Sequence, residues 1–459
     1  MSRAPERTGE PGTTLRAAVR EPHVALGVTA ALVLAVELVH ETWTADLPVL
    51  LEAAIASAGL VYAWRVQDKL RLIPLLGLTL GFSLGWVLLH LAVGVQADLD
   101  SSVVYRVQGN DLLHGDYPRS EYPVGAVLLF ALEAWVGGGP TRTANALAMI
   151  PFQLLTVACV FALRTRFSAW LAALVALWPL NAFYWEFKFD LVPTALLALG
   201  LLLALREHWG WSGAVLGLGA AVKWVPGLAF VALLVWLVAS GRRRAAGVHA
   251  LAFAVVVLAV NLPFLLWSPS EVLAAYERQG SRTITPESLW YLPLHAAGLA
   301  DLRTHISFSA GAPEWANVAA TTVQVLLVLA VLLAAVRMRG NVRAAVALAA
   351  VAPVVFLLTN RIFSPQFMVF VLTALAIATA LVAPDRRAQL AVGVALMGAT
   401  LANGFVYPYS LPFQATTWQV ASTILFALAL VVTSWVVRSS LRTRRAATWR
   451  ADPPGASAS

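Results

Sequence analysis

The sequence predicts an all-α, polytopic membrane protein, and three observations carry that prediction. The 459 residues are 59% hydrophobic and only 12% charged, with mean hydropathy +0.75, against about 25% charged residues in soluble domains. Several apolar runs reach the ~20 residues that a helix needs to cross a bilayer. Leu and Ala dominate those runs without a ten-residue alternation, which argues against a β-barrel.

Residues 1–22, rich in Pro, Gly, Thr and Arg, read as a disordered cytoplasmic tail. The first apolar run ends VELVHETW, with no small-x-small cleavage site, so it reads as an uncleaved anchor. Apolar segments then cover 23–40, 47–64, 72–94, 122–138, 143–163, 168–185, 190–207, 209–222, 225–240, 247–267, 315–336, 343–360, 364–383, 388–406 and 416–437. The first two, within 23–71, are expected to be accessory transmembrane helices. Residues 72–437 form the main bundle, with large loops at 95–142 and 268–314. Residues 438–459 are expected to be a basic, disordered cytoplasmic tail.

Basic residues flank membrane helices on the cytoplasmic side, which allows the orientation to be walked from both ends. From the N-terminus, RVQDKLR (65–71) is inside and the loop after residue 94 is outside. From the C-terminus, PDRR (384–387), RMRGNVR (337–343), GRRR (241–244), REH (206–208) and RTR (164–166) are inside. The two walks disagree by one crossing between Asp98 and Arg164. The weakest span in that interval is 122–138, which begins at Pro123 and carries Glu133 where a charge is costly. Placing it in the outer interface as a juxtamembrane helix reconciles the walks and leaves about fourteen spans. The other reading is a fifteenth span with a charge violation elsewhere.

The net charge of +8 lies mostly in short loops and the C-terminus, so it orients helices rather than binding nucleic acid. The single cysteine, Cys159, offers no intrachain disulfide. There is no phosphate-binding GxxxxGK[ST] loop. The histidines show no metal-ligand spacing, and neither metal nor cofactor is assigned.

Candidate chemistry collects in the outer segments. Asp98 and Asp100 open a polar, aromatic stretch ending YPRSEYP, where a carboxylate can take a proton from an attacking hydroxyl or can simply mark the interface. Asp190 precedes a helix with Pro193 in its first turn, so it is a helix cap or a site residue. Lys188 beside it can meet a phosphate. Lys223, before Trp224 and Pro226, either snorkels or neutralises an anion at a bent junction. Arg282, Glu287 and Trp290 combine charge and aromatic surface suited to a phosphosugar, or belong to an interfacial belt. Asn360 and Arg361 precede SPQF (364–367) at another outer helix start.

Taken together, these motifs resemble polyprenol-phosphate-sugar-dependent glycosyltransferases of the GT-C fold, and in particular glycosyltransferase family 87, an actinobacterial mannosyltransferase-like group. The resemblance rests on Asp100, Tyr105, Gly115, Asp116-Tyr117-Pro118 and Glu121-Tyr122-Pro123, with Val124 where the family has a second proline. It continues through Lys188-Phe189-Asp190-Leu191-Val192-Pro193 and GLGAAVKWVP (217–226). It ends with Arg282, Glu287-Ser288-Leu289-Trp290 and Ser364-Pro365-Gln366-Phe367, covering roughly 72–410. The resemblance implies a multi-pass enzyme of the bacterial plasma membrane with its site on the non-cytoplasmic side. It implies a GT-C-like bundle with a juxtamembrane helix in the first outer loop. It also implies a polyprenyl-phosphate sugar donor (mannose above others), a lipid or glycan acceptor, and Asp100 as general base with Asp98 as alternative. Lys223, Arg282, Arg361 and Lys188 would hold the donor phosphate. Tyr105, Glu121, Tyr122, Asp190, Glu287, Trp290 and Gln366 would contact substrate. A transporter or flippase of lipid-linked sugars, and a non-catalytic scaffold, are the competing readings, although no inverted repeat is visible.

Overall fold

The computed structural model describes residues 21–39, 46–93, 100–137, 141–300, 311–407 and 415–449. Asp98, the stretch 408–414 and most of the first expected tail lie outside them. Regular structure among the described residues is entirely helical. In chain order the helices are α1 (Pro22–Val39), α2 (Asp46–Arg65), α3 (Leu72–Val93), α4 (Tyr105–Leu113), α5 (Val124–Gly137), α6 (Thr141–Phe161) and α7 (Ser168–Leu177). They continue as α8 (Pro179–Phe187), α9 (Leu191–Leu205), α10 (Trp209–Val222), α11 (Pro226–Ala239), α12 (Arg243–Trp267) and α13 (Pro269–Ser281). The last are α14 (Tyr291–Ala296), α15 (Glu314–Val336), α16 (Val342–Thr359), α17 (Met368–Val382), α18 (Arg386–Val406) and α19 (Thr416–Trp449).

Nine helices among the described residues are long and apolar enough to cross a membrane, or ten if α8 and α9 form one bent span. The chain is therefore an all-α polytopic membrane protein. The expectation of about fourteen spans had counted α1, α7, α10 and α11 as full crossings, and these are shorter apolar helices. Helices α7, α10 and α11, of ten to fourteen residues, reach only about 15–21 Å. Proline explains part of the shortfall. The segment read as one span over 168–185 is split at Pro179, which has no N–H to donate and crowds the carbonyl one turn back. Pro226 likewise starts α11 after α10 has ended at Val222. At the C-terminus, α19 runs on to Trp449, into the stretch expected to be disordered from 438. No Gly or Pro interrupts RSSLRTRRAATW, so nothing local stops the helix.

Burial grades outward from α16 and α17, which are enclosed along most of their length, to α12, which turns Leu251, Val255, Leu258, Leu262 and Leu266 outward. An apolar outward face meets lipid tails at no cost. Helices α1 and α2 are docked rather than peripheral. Trp170 Nε1 donates to Leu60 O at 2.7 Å, and Trp64 Nε1 to Arg386 O at 3.2 Å.

The short helix α5 has both ends at one end of the bundle. Gly125 lies so close to Ala221 and Val222 that a Cβ would sit 2.7 Å from the Ala221 carbonyl. Gly137 packs on Ala144, next to Asn145, whose Nδ2 donates to Glu186 O at 2.6 Å. Val222 and Glu186 flank the two helix breaks that carry Lys223 and Lys188. Helix α4 lies along α5, with Gly109 against the Phe130 carbonyl, where any Cβ would clash. These contacts set the two ends of α5 beside the breaks that carry Lys223 and Lys188.

Candidate active site

Two helix breaks build the centre of the site. Between α8 and α9 the chain bends by 112°. Lys188 is extended there (φ −127°, ψ 152°), between the buried rings of Phe187 and Phe189. Its Nζ reaches Asp100 Oδ2 at 2.5 Å across 88 residues of sequence. Between α10 and α11, Lys223 is also extended (φ −155°, ψ 116°) and its Nζ pairs with Asp190 Oδ1. The same ammonium lies over the Phe367 ring at 4.5 Å and the Phe189 ring at 5.2 Å. The chain has three lysines, and two of them are these.

Asp190 occupies the N-cap position of α9, yet its side chain makes no capping hydrogen bond. The capping expectation gives way to the ion pair with Lys223. Asp190 is fully buried, and its second oxygen, Oδ2, has no hydrogen-bond partner among the described residues. A buried carboxylate oxygen without a donor is costly, and a substrate hydroxyl would satisfy it.

Tyr122 links these pairs to the first loop. Burial holds its phenol well above the usual range, and the carboxylates of Asp100, Glu121 and Asp190 push the same way, against a hydrogen bond with Tyr105. The phenol therefore keeps its proton and remains a donor. The Tyr122 ring stands edge-on to Phe189 at 5.3 Å and to Phe130 at 5.5 Å.

The loop after α12 closes the other side. Arg282 approaches Glu121 at 3.6 Å, and Gln279 Nε2 donates to Glu121 O at 3.2 Å. Arg361 donates to Gly280 O at 2.5 Å and to Thr321 Oγ1 at 3.2 Å, while its own carbonyl accepts from Thr285 N at 2.9 Å. Thr285 and Phe363 exchange two hydrogen bonds of 3.2 Å, and Phe363 meets Phe367 edge-on at 5.8 Å. Phe367 lies under Lys223, so contacts through Phe367 and Phe363 connect that lysine to Thr285 and the loop side. Glu287 belongs to the same loop. Burial raises its carboxyl to about 7, opposed by hydrogen bonds from its own backbone and Thr285 and by the Arg282 charge.

The remaining candidates divide. Trp290 spends its indole N–H on Thr359 O at 2.9 Å, and Gln366 accepts from Ser364 Oγ at 2.5 Å. Both steady the loop and the turn before α17. Tyr105, expected to contact substrate, is fully buried and stacked on Phe130 at 4.2 Å. Its ring is packing that supports Tyr122, because the Gly109–Phe130 approach draws α4 down onto α5. Asp98 lies outside the described residues. Sequence reasoning missed Phe189 and Phe367 as lysine partners, and missed Gln279 and Thr285. Of these, Phe189 and Phe367 fall within named motifs, Lys188 to Pro193 and SPQF.

A family model described as glycosyltransferase family 87 matches residues 121–365. No curated protein and no solved structure matches the chain. The matched span contains both helix breaks, Glu121, Arg282 and Arg361. It leaves out Asp100 and helices α1 to α4.

Proposed function

The chain belongs to glycosyltransferase family 87 and is thus a membrane glycosyltransferase; from that premise we propose that it transfers a sugar from a polyprenyl-phosphate donor, using Asp100 as general base. The donor sugar in this reading is mannose, and the acceptor is a lipid or glycan hydroxyl on the non-cytoplasmic side of a bacterial plasma membrane. The bundle is the GT-C-like arrangement, with α5 as its juxtamembrane helix.

The observation that carries the reading is the pairing of Asp100 with Lys188 beside the pairing of Asp190 with Lys223. The acceptor oxygen forms a bond to the anomeric carbon while the bond from that carbon to the phosphate oxygen breaks. The electron pair leaves with the polyprenyl phosphate, and the acceptor proton passes to the Asp100 carboxylate. Lys188 fixes one Asp100 oxygen and so orients the carboxylate. Charge develops on the departing phosphate, where fixed cations in a dry site act strongly. Lys223 and Lys188 are nearest the breaks, and Arg282 and Arg361 flank the loop side. The unpartnered Asp190 oxygen would take a sugar hydroxyl, and Tyr122 would donate to one. Glu287, Trp290 and Gln366 would line the sugar's loop side.

Transfer of radiolabelled sugar from polyprenyl-phosphate donors by purified protein in vesicles tests this reading. Asp100→Asn is expected to lower kcat by about 10²–10⁴-fold, the usual worth of a positioned base. Asp98→Asn is run beside it. Wild-type transfer by both variants would remove the proposed base. Flipping of donor without transfer by the wild-type protein would remove the donor chemistry.

A further inference from the structure

Four further ionisable side chains sit inside the bundle, outside the ion pairs described above. His90, near the end of α3, places Nδ1 at 2.6 Å from Glu186 Oε2 and Nε2 at 2.8 Å from Glu37 Oε1. Glu37 in turn is hydrogen-bonded to Glu52 on α2. Trp86 Nε1 adds a bond to Glu186 Oε2 at 3.0 Å, and its ring lies 4.9 Å from that of His90. All four are buried, with exposures of 3% for Glu37, 1% for Glu52, 0% for His90 and 1% for Glu186. Carboxyl–carboxyl and carboxyl–imidazole contacts need shared protons, so the chain Glu52–Glu37–His90–Glu186 holds protons between its members.

Burying such groups among apolar helices is expensive, and well-packed apolar residues would serve stability as well or better. The network therefore calls for a purpose other than cohesion. Its terminus supplies one. Glu186 is the penultimate residue of α8, and its backbone carbonyl is also held, by Asn145 Nδ2 at 2.6 Å. Lys188 follows two residues later and Asp190 four residues later. Glu186 is thus tied to α1, α3 and α6 immediately before the break that presents both residues.

We propose that His90 is a positioning residue: bridging Glu186 to Glu37, it clamps the α8–α9 break to helices α1 and α2 and so sets the placement of Lys188 against Asp100. This makes the first two helices, which lie outside the family-matched span, working parts of the site. The link from clamp to rate rests on the function proposed above, and the link from clamp to Lys188 does not.

Two measurements on Glu37→Leu, His90→Leu and the conservative Glu37→Gln separate the two. The first is amine-reactive labelling of the vesicle-reconstituted protein, read by mass spectrometry as the rate at Lys188 relative to Lys69. The second is kcat and donor KM for sugar transfer. Lys188 is buried, and its labelling should rise at least severalfold in both leucine variants. A misplacement on the order of 1 Å can lower kcat by as much as about 100-fold, so a ten- to hundredfold loss is expected, with donor KM changed less than twofold. Glu37→Gln keeps a hydrogen-bonding group at the same place and should return both readouts to near wild type. If His90→Leu does not fold, Glu37→Leu and Glu37→Gln decide the matter alone. If neither leucine variant folds, Glu37→Gln as impaired as an unclamped protein in labelling would overturn the proposal, and near-wild-type labelling would support it. Unchanged Lys188 labelling in a folded leucine variant overturns the clamp, and raised labelling with unchanged kcat overturns its role in positioning. Raised labelling in a preparation whose wild type transfers no sugar keeps the clamp and sinks the functional reading.

Discussion

Acid–base pairs occur at both ends of the bundle, and their surroundings differ. At the site end, Lys223 and Asp190 are 13% and 0% exposed and Lys188 is 5% exposed, while Asp100 and the Arg282–Glu121 pair at the rim are about one third exposed. At the opposite end, Arg242 pairs with Glu207 at 2.8 Å, with the two side chains 39% and 49% exposed, and Arg386 pairs with a still more exposed Asp68. Solvated pairs contribute about 0–1 kcal/mol. Buried pairs carry a desolvation penalty of several kcal/mol per ion, which their attraction only partly offsets. Stability alone explains the exposed pairs, since they cost almost nothing. It does not explain the buried ones, and an anionic substrate that draws on the same cations does.

The sharpest way to break this contrast is to remove one buried partner. Lys223→Met should strand the Asp190 carboxylate without solvent or counter-charge. Unfolding in vesicles or detergent is expected to be easier by about 3–5 kcal/mol. The double variant Lys223→Met with Asp190→Asn should regain most of that stability while transferring no sugar. A double variant that recovers transfer as well as stability would make the pair structural, and the two ends of the molecule would then differ only in burial.

Much of this contrast was legible in sequence and some was not. Every apolar segment named from hydropathy is helical, with 168–185 split into two helices, because in lipid a helix satisfies the backbone's hydrogen bonds within the segment. The five polar motifs each interrupt or open an apolar run, and contacts such as Asp100–Lys188, Glu121–Arg282 and Lys223–Phe367 bring them near one another. Their partners were not readable. Asp100 meets Lys188, and Asp190 meets Lys223, through packing between helices distant in sequence. Asp190 followed by Pro193 looks like an ordinary helix start until Lys223 arrives. Hydropathy is continuous across Pro179, so the two helices α7 and α8 read as one span in sequence. His90, Glu37 and Glu186 belong to no motif in the sequence, and only the fold brings them together.

A second test concerns the loop side, where burial acts on a single acid. The Glu287 carboxyl is raised to about 7 by burial, against the pull of Thr285 and Arg282. A carboxyl raised in the folded state is protonated there while the unfolded chain has already lost its proton. Its contribution to stability is therefore complete below about pH 4.5 and is lost as pH rises through about 7. Wild-type protein should lose on the order of 2 kcal/mol across that window relative to Glu287→Gln, which cannot titrate. Melting midpoints of both proteins from pH 4 to pH 8 measure the difference. Parallel curves would mean that Glu287 is solvated and that the loop side is open rather than closed over the site.

The smallest effect is expected at the opposite end, and it is the control on the whole contrast. Arg242 donates to Glu207 and lies over the Trp236 ring at 5.4 Å, so Arg242→Ala removes an ion pair and a ring contact together. Both partners are well hydrated, and solvent replaces what the guanidinium supplied. The expected loss is below about 1 kcal/mol, with kcat and donor KM unchanged and the residual difference shrinking in high salt. A loss comparable to that of Lys223→Met would show that exposure does not grade these pairs. Buried and exposed pairs would then serve cohesion alike, and the buried ones would not be held for substrate.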